Sequence, residues 1–252
     1  YIGSGLGVIP GAITLDSSAL SAFGAESLLI GGRRVRTATA TTVTVTSGNI
    51  TLDNAGSPLT ARDVTLVAKN NITLADGATI TSTGNITSPE TLRISGNGAL
   101  VRASSATAST IRTGVTTATS PLLTIGENVS ITAGGITLDS SAGLSLSQTA
   151  NLSASAYSFG SQRISLLLDN PGAVLANPGL VLDDNALLAF QNAASLSLVS
   201  YSSIDLYGTG QIGNQTLKNL NLSAGEIRGI NHADGTARLV AQNLSLSNLS
   251  NS

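Results

Sequence analysis

The sequence predicts an all-β chain wound as a single parallel β-helix, a solenoid of about 22–24 residues per coil and roughly eleven coils over residues 1–252. Three observations carry that expectation. Apolar residues alternate with a period close to two, strand patterns recur at a fixed longer spacing, and charged and aromatic residues are scarce. Charged residues make up 10% and aromatics 3% of the chain, against about 25% charged in an ordinary globular domain.

The short period defines the strands. Val43-Thr44-Val45-Thr46, Leu144-Ser145-Leu146-Ser147 and Leu220-Asn221-Leu222-Ser223 alternate strictly, which sends one set of side chains to a core and the other to solvent. These runs stop at Asp76-Gly77, Gly84-Asn85, Gly96-Asn97-Gly98, Pro171-Gly172, Pro178-Gly179 and Asp234-Gly235, residues that favour turns and break ladders. No 3.6-residue apolar stripe with helix caps stands out, so helices are not expected.

The long period defines the architecture. Asn49-Ile50-Thr51-Leu52 returns as Asn71-Ile72-Thr73-Leu74 after 22 residues, and the runs 195–198, 219–222 and 243–246 follow one another at 24. The run Ile13-Thr14-Leu15-Asp16-Ser17-Ser18-Ala19 returns whole at 136–142, 123 residues on. A propeller blade needs about 40 residues and usually carries aromatics, whereas a β-helix coil fits this spacing and its narrow core suits Leu, Ile and Val. Asn49, Asn71, Asn219 and Asn243 fall at the corners of coils, where an Asn takes up left-handed backbone and stacked amides bond from coil to coil. Two stretches, 33–42 and the Ser/Thr/Ala-rich 102–120, break the rhythm and are expected to project as irregular loops. No linker divides the chain. At about 4.8 Å per coil the rod would reach on the order of 50 Å.

Composition excludes several functions. Without cysteine there is no disulfide, thiolate metal site or cysteine nucleophile, and the single His232 rules out a multi-histidine centre. Twelve basic and fourteen acidic residues give no general attraction to nucleic acid or anionic lipid. No apolar run approaches the about 20 residues of a membrane-spanning helix, and nucleotide-binding glycine motifs and calcium nonapeptides are absent. No cofactor is expected. The start without Met, in mid-pattern and with no signal peptide, suggests an internal piece of a longer protein.

The Asn-Ile-Thr-Leu units at 49–52 and 71–74, Gly-Asn-Ile-Thr at 84–87, Gly-Gly-Ile-Thr-Leu at 134–138 and the Leu-Ser-Leu and Asn-Leu units at 195–198, 219–222 and 243–246 together resemble the filamentous haemagglutinin family. The resemblance implies a right-handed parallel β-helix, secreted to the bacterial surface through an outer-membrane transporter barrel. It implies a structural or adhesive rod whose partner is a host-cell glycan or receptor. A polysaccharide-cleaving β-helix and the passive stalk of a contact-dependent inhibition toxin are the alternatives. The family's secretion domain carries Asn-Pro-Asn motifs; Asn170-Pro171-Gly172 and Asn177-Pro178-Gly179 lack the third Asn, which places this stretch further along the rod.

Candidate sites follow from chemistry. Arg33, Arg34 and Arg36 form the one basic cluster; with Val35 inward, Arg34 and Arg36 share an outward face suited to an acidic glycan. Tyr201 and Tyr207 flank Asp205 and offer a sugar-stacking surface, while Phe159 is expected in the core. Asp183 and Asp184 lie 22 and 21 residues before Asp205, about one coil away, a spacing of the kind a carboxylate pair needs for glycoside hydrolysis; the order differs from that of polygalacturonases and the solvated-turn reading is preferred. His232 is expected in a loop. Nine Asn-x-Ser/Thr sequons, beginning at Asn49, Asn71, Asn85, Asn128, Asn151, Asn214, Asn221, Asn243 and Asn248, follow from turn asparagines that open alternating strands.

Overall fold

A computed structural model of the chain describes residues 1–5, 7, 9–37, 40–86, 90–169, 179–230 and 235–249. Among them are 28 strands and two short helices. The chain is mostly β, as its alternation requires, and none of these helices is long and apolar enough to cross a membrane.

The largest sheet has eight strands, in spatial order Asn243–Asn248, Asn219–Ala224, Ser195–Ser200, Ala156–Ser161, Gly135–Ser140, Ala99–Ser104, Asp63–Ala68 and Ser27–Ile30. Along one row Gly135, Ala156, Ser195, Asn219 and Asn243 are successive parallel partners. The 24-residue repeat is therefore a register, because Asn219 pairs with Ser195 on one side and Asn243 on the other. The 22-residue repeat is another, with Ile50 opposite Ile72 and Leu52 opposite Leu74 in a six-stranded sheet. All but one of the sheets share one core. Leu138, Phe159, Leu198 and Leu222 face it from four consecutive strands and are 0% exposed. Each such side chain contributes about 1.5–3 kcal/mol on burial. The ladder reaches water at its last strand, where Leu244 and Leu246 are exposed.

Asparagines link successive strands at their ends, as expected. The Asn49 Oδ1 accepts from the Asn71 N–H at 3.2 Å and the Asn71 Oδ1 from the Leu122 N–H at 3.1 Å. The Asn243 amide donates to the Asn219 Oδ1 at 3.3 Å. Left-handed backbone is not part of that linkage: among the described non-glycine residues it occurs at Asn128, with φ 53°.

Two features depart from expectation. The first is a pair of helices, α1 (Ser17–Ala22) and α2 (Asp184–Phe190). Each is just under two turns long and capped by an aspartate, the Asp16 and Asp183 carboxylates accepting from the Ala19 and Ala186 N–H groups at 2.7 and 2.9 Å. Helices this short need a cap and a few good helix formers, with no long apolar stripe. α2 buries Leu187 and Phe190, and the Phe190 ring centroid lies 4.8 Å from that of Tyr157 and 4.9 Å from that of Phe159. It fills the core where the ladder steps from Ala156 to Ser195.

The second departure is in the stretches expected as loops. Gly32–Arg36 pairs antiparallel with Thr41–Val45, and Ala99–Ser104 runs antiparallel between Asp63–Ala68 and Gly135–Ser140. Thr110–Thr113 pairs with Leu92–Ser95. The four-stranded sheet made of Gly32–Arg36, Thr41–Val45, Leu92–Ser95 and Thr110–Thr113 covers the outer face of the large sheet, sealing a second small core of Val43, Leu92 and Ile94 against Val67 and Leu100. Alternation persists through these polar segments, and a buried charge fixes them. Arg102, 1% exposed, donates from Nε and Nη2 to Asp63 at 3.0 and 2.8 Å and to the Ser109 and Glu90 carbonyls at 2.9 and 3.0 Å.

Arg102→Ala strands the buried Asp63 carboxylate and is expected to cost about 3–5 kcal/mol in urea unfolding. The solvent-exposed pair Arg62–Glu26, at 3.5 Å, provides the contrast, with Arg62→Ala costing about 0–1 kcal/mol. Equal losses from the two substitutions would contradict the clasp.

Candidate functional site

The basic cluster lies on the hairpin strand Gly32–Arg36. Val35 does not point inward: it is 41% exposed. Arg34 and Arg36 share the opposite face, but both have partners in the protein. The Arg34 Nη2 donates to the Ser27 Oγ at 2.9 Å, and Arg36 is paired with Glu90. Arg33 is exposed and makes no ion pair among the described residues.

Asp183 and Asp205 are committed to structure. Asp205 is buried, receives the Arg228 Nε and Nη2 at 2.9 and 2.8 Å, and has the Arg163 Nε at 3.5 Å. The hydrogen bonds to Asp205 raise the Arg228 pKa above its ordinary value. Asp183 caps α2 and also accepts from the Gln148 Nε2 at 2.8 Å. Asp184, in the first turn of α2, has its pKa raised by burial and then by Asp169 and Asp183. These groups do not form a free carboxylate pair. Phe159 lies in the core as expected. His232 and both Asn-Pro-Gly motifs include residues outside those described, and no cluster of metal-ligating side chains occurs among the described residues.

Tyr201 and Tyr207 part company. Tyr207 ends the strand Ser203–Tyr207, opposite Leu167 and Ile230. Tyr201 lies at the outer face of the large sheet, where its hydroxyl donates to the Asp139 Oδ1 at 2.6 Å. The other carboxylate oxygen receives the Arg112 Nε at 2.6 Å, and the Arg112 Nη1 donates to the Gly96 carbonyl at 2.9 Å. Burial and then the Asp139 charge push the Tyr201 pKa well above its ordinary value, so the phenol stays protonated as a donor. Burial opposes the Arg112 charge, but Asp139 and Tyr201 together outweigh it and leave the Arg112 pKa raised. The triad lines a groove of about 230 Å³ between Thr110–Val115 and the outer face of the large sheet. A second cavity of about 210 Å³ continues it past Thr107–Thr110. The largest cavity described, about 680 Å³, lies beside α2 between Gln148, Leu152 and Phe190.

Sequence reasoning singled out Tyr201 but missed Asp139 and Arg112, which lie 62 and 89 residues before it in the chain. The available signal was a pair of charged residues on alternating strands in a chain otherwise poor in charge. No protein-family model, curated protein or solved structure matches the chain.

The raised Tyr201 pKa sets a sign for alkaline stability. The folded state favours the neutral phenol, so its contribution is complete below the ordinary tyrosine value of about 10 and is lost as pH rises through the higher folded value. Tyr201→Phe is expected to lower stability at pH 7 by about 1 kcal/mol and to flatten the decline above about pH 10. Urea titrations at pH 7 to 11 check this; parallel declines in the two proteins would contradict it.

Proposed function

We propose that the chain is a non-enzymatic rod segment, one right-handed parallel β-helix from a large bacterial surface exoprotein of the filamentous haemagglutinin kind. The observation that carries this reading is the in-register parallel ladder from Gly135–Ser140 to Asn243–Asn248, with its two apolar core rows. In such a ladder every inner strand is bonded on both sides, so the element resists bending and holds what it carries away from the cell. Export through an outer-membrane barrel suits a chain without cysteine, since no disulfide obstructs passage of the unfolded polypeptide. Adhesion to an acidic host glycan is assigned to the hairpin bearing Arg33, Arg34 and Arg36, with Arg33 as the guanidinium left for a bidentate bond. Tyr207 is a secondary contact. The polysaccharide-cleaving alternative is disfavoured because Asp183 caps a helix and Asp205 is neutralised by Arg228.

The test is binding of the purified chain to a glycan array and to host cells, beside a variant carrying Arg33→Ala, Arg34→Ala and Arg36→Ala. The expected result is saturable binding to acidic glycans that the variant loses at least tenfold. Binding indifferent to the substitutions would contradict the arginine assignment, and cleavage of an arrayed glycan would contradict the non-enzymatic reading.

A further inference from the structure

The outer four-stranded sheet ends at Thr110–Thr113, a strand paired on one side only, with Leu92–Ser95. On that side the Leu92 and Gly96 N–H groups donate to the Ser109 and Thr113 carbonyls at 3.0 and 2.8 Å. Alternation along the strand turns the N–H and C=O groups of Thr110 and Arg112 to the other edge, where no described strand pairs with them. Two donor–acceptor sets two residues apart recur at about 6.8 Å, the repeat of another extended chain.

The space beside that edge has the shape of a missing strand. The two adjoining cavities of about 230 and 210 Å³ flank residues 107–115 along their length. Their floor is the outer face of the large sheet, where Thr137, Ser158, Ser197 and Asn221 are register partners on four successive strands. Small side chains there leave the room that stacked sheets, about 10 Å apart, fill with interdigitating residues. The Thr110 Oγ1 is buried without a hydrogen-bond partner at the lip. Arg112 and Asp139, both in the lining, cancel each other's charge, so the slot suits an uncharged occupant.

We propose that this slot binds an extended peptide segment of a protein partner by strand addition. The partner's main chain pairs with Thr110 and Arg112, and small uncharged side chains at its alternate positions rest on the serine and threonine floor. The outer sheet thereby gains a fifth strand. This inference stands on the edge and the slot alone and is independent of the rod reading.

The probe is a fluorescently labelled synthetic peptide with the sequence of residues 40–47, because Thr41–Val45 already lies in this outer sheet with Val43 against the large one. Anisotropy titration into the intact chain is expected to give saturable binding. Amide exchange at Thr110 and Arg112 is expected to slow at least tenfold in the complex. Thr110→Pro removes an N–H that faces the free edge, so the pairing with Leu92–Ser95 survives, and Ser158→Phe fills the floor. Each is expected to weaken binding at least tenfold while circular dichroism and Tm stay close to wild type. Absence of saturable binding, binding that persists in both variants, or displacement of the peptide by maltohexaose or cellohexaose would overturn the proposal.

Discussion

A slip of one residue in any parallel pairing of the large sheet would turn its leucines to water and its serines to the core, and the rest of the structure depends on that constraint. Ser195–Ser200 and Asn219–Ala224 show it most simply. Leu196 and Leu198 lie opposite Leu220 and Leu222, while Ser197 lies opposite Asn221 on the other face. Exposing two leucines on one strand would cost about 3–6 kcal/mol, comparable to the whole stability of a small domain. Register is thus fixed strand by strand, and what is attached outside the ladder is positioned by it. α2 occupies the gap in the core at the step from Ala156 to Ser195, and the outer sheet lies on faces whose composition the register has already set.

The outer layer is docked by charge in a chain that spends little charge elsewhere. Asp63 and Asp139 lie on outward-facing positions of the large sheet, and arginines from neighbouring segments converge on them. Arg102 ties Asp63 to the Ser109 and Glu90 carbonyls, and Arg112 ties Asp139 to the Gly96 carbonyl. Asp205 repeats the device between adjacent strands, since Arg228 is its register partner. Buried pairs of this kind add little net stability once desolvation is counted, but they penalise any arrangement that separates them. Their effect is to choose one docking of a polar, Thr-rich layer that has few apolar contacts of its own.

Much of the ladder was legible in the sequence because it is written in local alternation and in repeats of 22 and 24 residues. The Asn corners were legible for the same reason. The helices were not, although Asp16–Phe23 and Asp183–Phe190 share an Asp followed by Ala, Leu, Ala and Phe at the third, fourth, sixth and seventh positions. The identical runs 13–19 and 136–142 show the limit of local reading. The first leads into α1 and the second forms a strand and its turn. Leu20 favours the helix where Gly143 breaks it, and the Asp16 carboxylate is free to cap while Arg112 and Tyr201 hold Asp139. The groove at Tyr201 was half legible for a related reason: its aromatic stood out, but the partners that position it arrive by tertiary pairing. The Arg33–Arg36 cluster was visible as charge, whereas the exposure of Val35 depended on which face the outer sheet turned to the core.

The absence of cysteine from the chain allows the register itself to be measured by disulfide formation. Neighbouring strands lie about 4.8 Å apart, within the Cα separation of about 4.4–6.8 Å that a disulfide spans. Cysteine pairs at Ser197 with Asn221, and at Asn221 with Ser245, join register partners on the outer face. Both are predicted to oxidise readily, while a pair at Ser197 and Ser245, two strands apart, is predicted to stay reduced. Ready cross-linking of Ser197 to Ser245, or none between Ser197 and Asn221, would contradict the in-register ladder on which the account stands.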